Sequence, residues 1–234
     1  MTKKRRRKKR SKQHKGLPKG VDSVITKEGK DAYFVCSYNI TSESIEEMAD
    51  RMPEEIKSQI SELNFQVHNK PKEAIPKLLI LKGKYPDTPI LYNYLAKAYS
   101  QIGNFSATDE MRIENYANNP NYLFAKINYA HMCLDARDYG KIPEIFDNKF
   151  DLKLLYPDRN EFHISEFEGF TGMMCIYYHK IGESDAAKIS YDSLEKVSPD
   201  SEVFKRVRKL LYPGIIIKFL RKWLNKKTDH EFKA

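Results

Sequence analysis

Cysteine is scarce in this chain: Cys36, Cys133 and Cys175 are the only three in 234 residues. An odd number, widely spread, excludes a disulfide frame as the organising device, so the sulfurs are expected as reduced, small packing groups. Long apolar runs are missing too. With no stretch of about 18 apolar residues there is no candidate membrane-spanning helix. No apolar segment follows the basic N-terminus, and a secretory signal is not expected. The motifs GxGxxG, Walker A, GxSxG and HExxH are absent, which removes the common signatures of phosphate cradles, activated serine and catalytic zinc. Cys175 and His179 stand one helical turn apart, but no CxxC or HxxxH pair supplies the further ligands that zinc needs. Glu161, His163, Glu166 and Glu168 form a polar cluster whose spacing specifies no chemistry, and a solvated loop is expected there. Neither catalysis nor a cofactor nor a metal is expected.

Acidic residues are missing from both ends. Residues 1–20 hold 11 Lys and Arg and no Asp or Glu, and residues 205–227 hold nine more, again with no acid. The formal charge of +9 therefore conceals an acidic body, because residues 21–204 hold 20 basic and 30 acidic residues. Lys3, Lys4, Arg5, Arg6, Arg7, Lys8, Lys9 and Arg10 are consecutive, and Lys12 follows closely. Such a run repels itself and has no apolar surface to offset its ordering entropy, so residues 1–20 are expected as a disordered arm. An arm of this kind binds polyanions by releasing their counterions, tightly at low salt and weakly at high salt. Nucleic acid, a ribosome, an import receptor and plain solubilisation are the roles that it leaves open.

What the middle of the chain does have is a period. Pro86 and Pro120 are 34 residues apart, and so are Asn69, Gly103 and Arg137, each closing a stretch patterned like a helix. In YNYLAKAYSQIGNF, from Tyr92 to Phe105, the residues Tyr92, Leu95, Ala96 and Tyr99 fall on one helical face before Gly103 stops the helix. Downstream, Tyr129, Ala130 and Cys133 repeat that face. From Arg137 to the next equivalent turn residue, Gly182, is 45 residues, which predicts an insert of about 11 near 150–165. The last copy places Met174, Cys175 and Tyr178 inward and closes at Pro199. Four units then cover roughly residues 55–204, more than the three that a continuous repeat core requires.

These residues resemble the tetratricopeptide repeat. The resemblance implies an all-α fold: antiparallel helical pairs stacked as a solenoid in a right-handed superhelix, with the ligand on a concave face made by the first helix of each unit. On that face the register puts Asn93, Lys97 and Gln101, then Phe124, Ile127, His131 and Asp135, then Ile176, His179 and Lys180. The family's clamp for a peptide carboxylate needs Lys, Arg and Asn where this chain has Leu63, Ile127 and His131, so a chaperone-tail clamp is not expected. Phe124, Ile127 and Ile176 instead suggest a groove for an apolar or amphipathic segment, against the alternative that they pack inside. Thr108 and Asn115 stand where small apolar residues are usual, Lys126 stands for an aromatic, and Pro76 and Pro143 sit early in second helices.

The flanks differ from the array. Residues 21–54 contain SVITKEGKDAYFVCSYNI, which reads as a short β-hairpin around Glu28-Gly29-Lys30 that could cap the first unit, followed from Thr41 by an acidic helix with Ser44 and Glu47 as a capping box. Residues 205–234 are a basic tail in which Ile215, Ile216, Ile217, Phe219, Leu220, Trp223 and Leu224 share one helical arc, opposite Lys218, Arg221, Lys222 and Lys226. A helix over 213–227 is either a cap for the last repeat or a surface helix for anionic lipid. The sequence thus favours a non-catalytic, cytoplasmic, protein-binding scaffold with a polyanion-binding arm, nuclear if the basic run serves as an import signal. The alternative is a dedicated RNA- or DNA-binding protein whose repeats only carry the basic ends.

Overall fold

Helix ends explain the layout better than helix middles do. The computed structural model describes residues 23–26, 32–35, 38–42 and 52–213. The basic arm, Cys36, the capping box at Ser44 and Glu47 and the amphipathic segment after Pro213 lie outside these residues. In chain order the helices are α1 (Glu54–Asn69), α2 (Pro71–Lys84), α3 (Pro89–Gln101), α4 (Phe105–Asn118), α5 (Leu123–Asp135), the short α6 (Lys141–Ile145) and α7 (Leu152–Leu155), then α8 (Ile164–Ile181), α9 (Ser184–Val197) and α10 (Glu202–Leu211). The fold is mainly helical, as expected. None of these helices is long and apolar enough to cross a membrane.

Two kinds of helix end alternate. After α3, α5 and α8 the chain turns through Gly103, Arg137 and Gly182, whose φ angles are 77°, 60° and 85°. In each case the next amide reaches back to close the turn: Asn104 N donates to Tyr99 O at 2.9 Å, Asp138 N to Cys133 O at 2.8 Å, and Glu183 N to Tyr178 O at 2.9 Å. This is the left-handed cap that glycine adopts freely. Arg137 adopts it at a cost of about 1 kcal/mol, because its Cβ crowds the following carbonyl. Asn69 does not follow suit, since α1 runs into Lys70 at φ −140°. After α2, α4 and α9 the chain instead leaves through Tyr85, Asn119 and Ser198, at φ/ψ near −131°/67°, −129°/57° and −137°/61°. Each precedes a proline, whose ring disfavours the helical conformation for the residue before it. Two proline positions differ in outcome. Pro143 is third in α6, where no amide partner is lost, whereas Pro76 sits inside α2, and that helix continues through it on an exposed face.

The helices bury two apolar clusters. One gathers Ile56, Leu63 and Val67 of α1, Ala74, Leu78 and Leu81 of α2, Leu91, Tyr92, Leu95, Ala96 and Ala98 of α3, and Met111 of α4. The other runs from Leu123 in α5 through α6, α7, α8 and α9 to Phe204 and Val207 in α10. The boundary expected between residues 204 and 205 falls inside α10, so the first basic residues of the tail belong to a core-packed helix.

The N-terminal segment departs from expectation in one respect. Strands β1 (Ser23–Thr26) and β2 (Ala32–Val35) do pair as an antiparallel hairpin, with Ser23 opposite Val35. The next residues do not cap the first unit. Strand β3 (Asn39–Thr41) pairs in parallel with β4 (Glu161–His163), and Tyr38 and Ile40 enter the second cluster. The Tyr38 and Phe162 rings meet edge to face with centroids 5.0 Å apart.

The insert is likewise ordered, and the polar cluster at its end is not a solvated loop. Glu166 is 3% exposed. Its carboxylate accepts from both Arg159 Nη1 and Nη2, at 3.0 and 2.7 Å, and from the His163 backbone amide at 2.9 Å. Arg159 also lies 4.4 Å from the centre of the Phe162 ring. A buried carboxylate needs this set of partners, and sequence spacing alone could not show that Arg159 would supply them. Lys153 Nζ fastens the same block by donating to Pro157 O at 2.6 Å and Asn160 Oδ1 at 2.6 Å.

Two stability outcomes follow from these contacts. Leu95→Asp and Tyr178→Asp each place an unpartnered charge in a buried stripe and should abolish the cooperative melt seen by circular dichroism at 222 nm; a parent-like melt would mean that the stripe is misassigned. Arg159→Ala leaves the Glu166 carboxylate buried and unpaired, and should cost about 3 kcal/mol in urea denaturation. A loss under about 1 kcal/mol would show that Glu166 finds solvent instead.

Candidate ligand-binding site

The ten residues that the helical register assigns to one face part company in the structure. Lys97 and Gln101 on α3 are exposed. Asn93 is tied into an amide network. Phe124 and Ile127 on α5 face α8 around Gly169, and Ile127 is only 4% exposed. The apolar groove expected from Phe124, Ile127 and Ile176 is therefore already filled by the chain's own packing, since Ile176 is 9% exposed and both isoleucines belong to the second cluster. His179 is exposed on α8 and stands apart from the residues that come together.

Asn93 sits where the two apolar clusters meet. Its Oδ1 accepts from Asn115 Nδ2 and from Asn128 Nδ2, each at 3.1 Å. Its Nδ2 reaches Tyr122 Oη at 3.4 Å, and Asn115 also donates to Pro89 O at 3.3 Å while accepting from Asn119 Nδ2 at 3.0 Å. This is why a polar Asn115 tolerates 1% exposure. Thr108 is satisfied in the same way, its hydroxyl donating to Asn104 O at 2.9 Å. Lys126 reaches Ile145 O at 2.6 Å, with its ammonium 5.9 Å from the centre of the Tyr116 ring, and burial holds its pKa below the ordinary lysine value.

Four of the ten residues do converge. His131 and Asp135 of α5 and Ile176 and Lys180 of α8 line a cavity of about 230 Å³, together with Leu134, Arg137, Tyr139 and Arg206. Three sequence features assemble it. The turn at Arg137 and Tyr139 folds back beside the end of α5. The last turn of α8 brings Lys180. Gly172 lets α10 approach α8, since a Cβ there would collide with the Val203 side chain, and that approach delivers Arg206. Arg137 and Arg206 escaped the sequence reading, because one occupies a turn position and the other lay beyond the expected end of the array. The repeat itself held the signal for the first: arginine stands where its two counterparts are glycine.

The cavity is electropositive. Among the described residues Arg137, Lys180 and Arg206 have no ion-pair partner, and Asp135 is the single acid in the lining. Burial, with repulsion from Arg206 and then Arg112 added, pushes the His131 imidazole down to about 4. Cys175 is the opposite case. It donates to Ala187 O at 3.2 Å, and burial pushes its thiol up to about 12, so it is an inert packing group.

Because the folded protein holds His131 at about 4 while an unfolded chain holds histidine near about 6.5, the unfolded state takes the proton first. Stability is thus complete above the unfolded value and declines as pH falls from about 6.5 towards 4. His131→Gln should flatten that decline by on the order of 1–2 kcal/mol, measured by urea denaturation at pH 7.0 and 4.5. An unchanged pH dependence would mean that the imidazole remains solvated. In a separate test, Gly172→Ala should lower the melting temperature by several degrees by forcing α10 off α8.

No protein-family model, curated protein or solved structure matches the chain.

Proposed function

We propose that the protein is a non-catalytic adaptor. In this reading its helical pairs form a tetratricopeptide-like array, wound as a right-handed superhelix, that takes a protein or peptide ligand along the first helices of its units. The basic arm, Lys3 to Lys12, holds the complex at nucleic acid, a ribosome or another polyanion in the cytoplasm. The observation that carries the reading is the cavity between α5, α8 and α10. Four residues assigned to the ligand face by register alone, His131, Asp135, Ile176 and Lys180, line one depression. The repeated caps at Gly103, Arg137 and Gly182 support the array itself. A buried thiol at Cys175 and a fully partnered Glu166 give no support to a catalytic reading.

A second reading has an observation of its own. The 11 cations of residues 1–20 would also suit a dedicated RNA- or DNA-binding protein in which the helices merely carry the basic ends.

Affinity capture with and without nuclease separates the two, using the parent, a chain lacking residues 2–15, and a Lys97→Glu/Gln101→Glu variant on the exposed face of α3. A protein partner that survives nuclease and arm deletion but is lost from the α3 variant supports the adaptor. Partners that all vanish with nuclease would support the second reading. The deletion removes ten Lys and Arg and takes the formal charge from +9 to −1. RNA retention at low salt should then fall by orders of magnitude, while stability stays within about 0.5 kcal/mol of the parent. Unchanged RNA retention would show that the arm is not the contact.

A further inference from the structure

The cavity gathers like charges from separate parts of the fold. Arg137, Lys180 and Arg206 come from a turn, from the end of α8 and from α10, and none is neutralised by a partner among the described residues. Three cations around one small depression repel one another, and Asp135 alone cannot balance them. The turn makes the cost more specific. Gly103, Arg137 and Gly182 hold the same place in three copies of one turn, with closely similar left-handed backbones. Glycine is the low-strain residue in two of them, and in the third an arginine accepts backbone strain and faces the cavity. The imidazole of His131 is held there beside Arg206 and Arg112. Unpaired cations from three elements that line one depression describe an anion site.

We infer that this cavity docks the carboxylates of an acidic peptide segment. The inference rests on the adaptor reading and deepens it, replacing an apolar ligand with an anionic one. Size and charge select the class. At about 230 Å³ the cavity is smaller than the range of about 300–1,000 Å³ that encloses whole small ligands, and it suits a side chain or two of a longer chain lying outside. Residues 21–204 carry 30 acidic against 20 basic residues, so an extended phosphate backbone meets repulsion on leaving the cavity. A short acidic segment makes its charged contacts only inside it. The guanidinium groups of Arg137 and Arg206 suit planar carboxylates, and Lys180 adds a point charge. The site differs from a clamp built along first helices, because Arg137 comes from a turn and Arg206 from the helix that follows the last full unit.

The probe is fluorescein-labelled hexaglutamate, titrated into the full chain, with hexaserine and hexauridylate as controls. Since the basic arm also attracts a polyanion, the decisive signal is local to the cavity: the His131 ring resonances in NMR. The charged groups acting on that ring are Arg206 from α10 and Arg112 from α4, while Lys180 of α8, Arg137 of the turn and Asp135 of its own helix line the same cavity. Hexaglutamate should shift the His131 resonances and raise its titration midpoint from about 4 by one unit or more, because a bound carboxylate favours the imidazolium. Lys180→Gln/Arg206→Gln, two exposed positions, should weaken cavity binding by about tenfold or more with the melt unchanged. Arg137→Gly should raise the melting temperature while weakening binding several-fold, a combination that a purely structural arginine would not give.

Three results would overturn the inference: His131 resonances indifferent to saturating hexaglutamate, affinity at the cavity unchanged in Lys180→Gln/Arg206→Gln, or a shift produced by hexauridylate and not by hexaglutamate. The last would assign the cavity to nucleic acid. Each leaves the adaptor reading to its own test, since that depends on nuclease-resistant capture and the α3 face. Loss of that capture with a positive His131 response would instead retain the anion site and reject the adaptor.

Discussion

Two apolar cores in this molecule are joined by amides, and the positions of later elements depend on that join. Asn93 of α3, Asn115 of α4 and Asn128 of α5 meet in hydrogen bonds at the border between the clusters. An apolar contact between helices can slide by a fraction of a turn at a gradual cost. Amides that are largely removed from water cannot, because a displaced partner leaves a donor or acceptor unmet. The network therefore fixes where α5 sits against α3 and α4. Helix α8 packs on α5 around Gly169, α10 packs on α8 at Gly172, and Arg206 arrives at the cavity at the end of that chain of contacts. A polar seam well away from the cavity thus sets its geometry.

The turns show how a repeat can hold both a structural rule and a departure from it. The left-handed cap after α3 and α8 is made by glycine, which meets its backbone requirement and displays no side chain. After α5 the same geometry is kept, with the same reach-back hydrogen bond, and a long cation is displayed. Because the backbone is nearly unchanged, the substitution alters surface chemistry without disturbing the stacking of neighbouring helices. Stability and surface chemistry are in opposition at this one residue.

Much of the helical layout was legible in the sequence because glycine and proline act locally. The period read from Asn69, Gly103, Arg137, Pro86 and Pro120 reappears as two alternating helix ends, with Asn69 the exception. The inward residues Tyr92, Leu95, Cys133, Cys175 and Tyr178 are buried. Non-local features escaped that reading. Three residues, Asn39 to Thr41, carry no pattern that names Glu161 to His163 as their partner. Glu166 looks solvated until Arg159 is brought to it. Phe124 and Ile127 lie on the expected ligand face, but the face is covered there because α8 comes close at Gly169, and helical register cannot report how closely a neighbour approaches. Further along that face, His131, Asp135, Ile176 and Lys180 line the open depression.

The pairing of β3 with β4 ties together parts of the chain that lie far apart in sequence. Helical pairs stacked in a row touch only their neighbours, so such a row ordinarily frays from either end, unit by unit. Here Asn39 stands opposite Glu161, with all of α1 to α7 strung between them, and Ile40 and Phe162 are buried in the same cluster. The connection is a latch. Its closure requires a long loop to be formed, which is slow, and its opening would expose Tyr38, Ile40 and Phe162 together. With the latch shut, melting of α1 or α2 cannot simply spread inward from a free end, because the strand that precedes them is anchored in the opposite core. The helices of the first cluster are thereby tied to the second by a contact that their own packing does not supply.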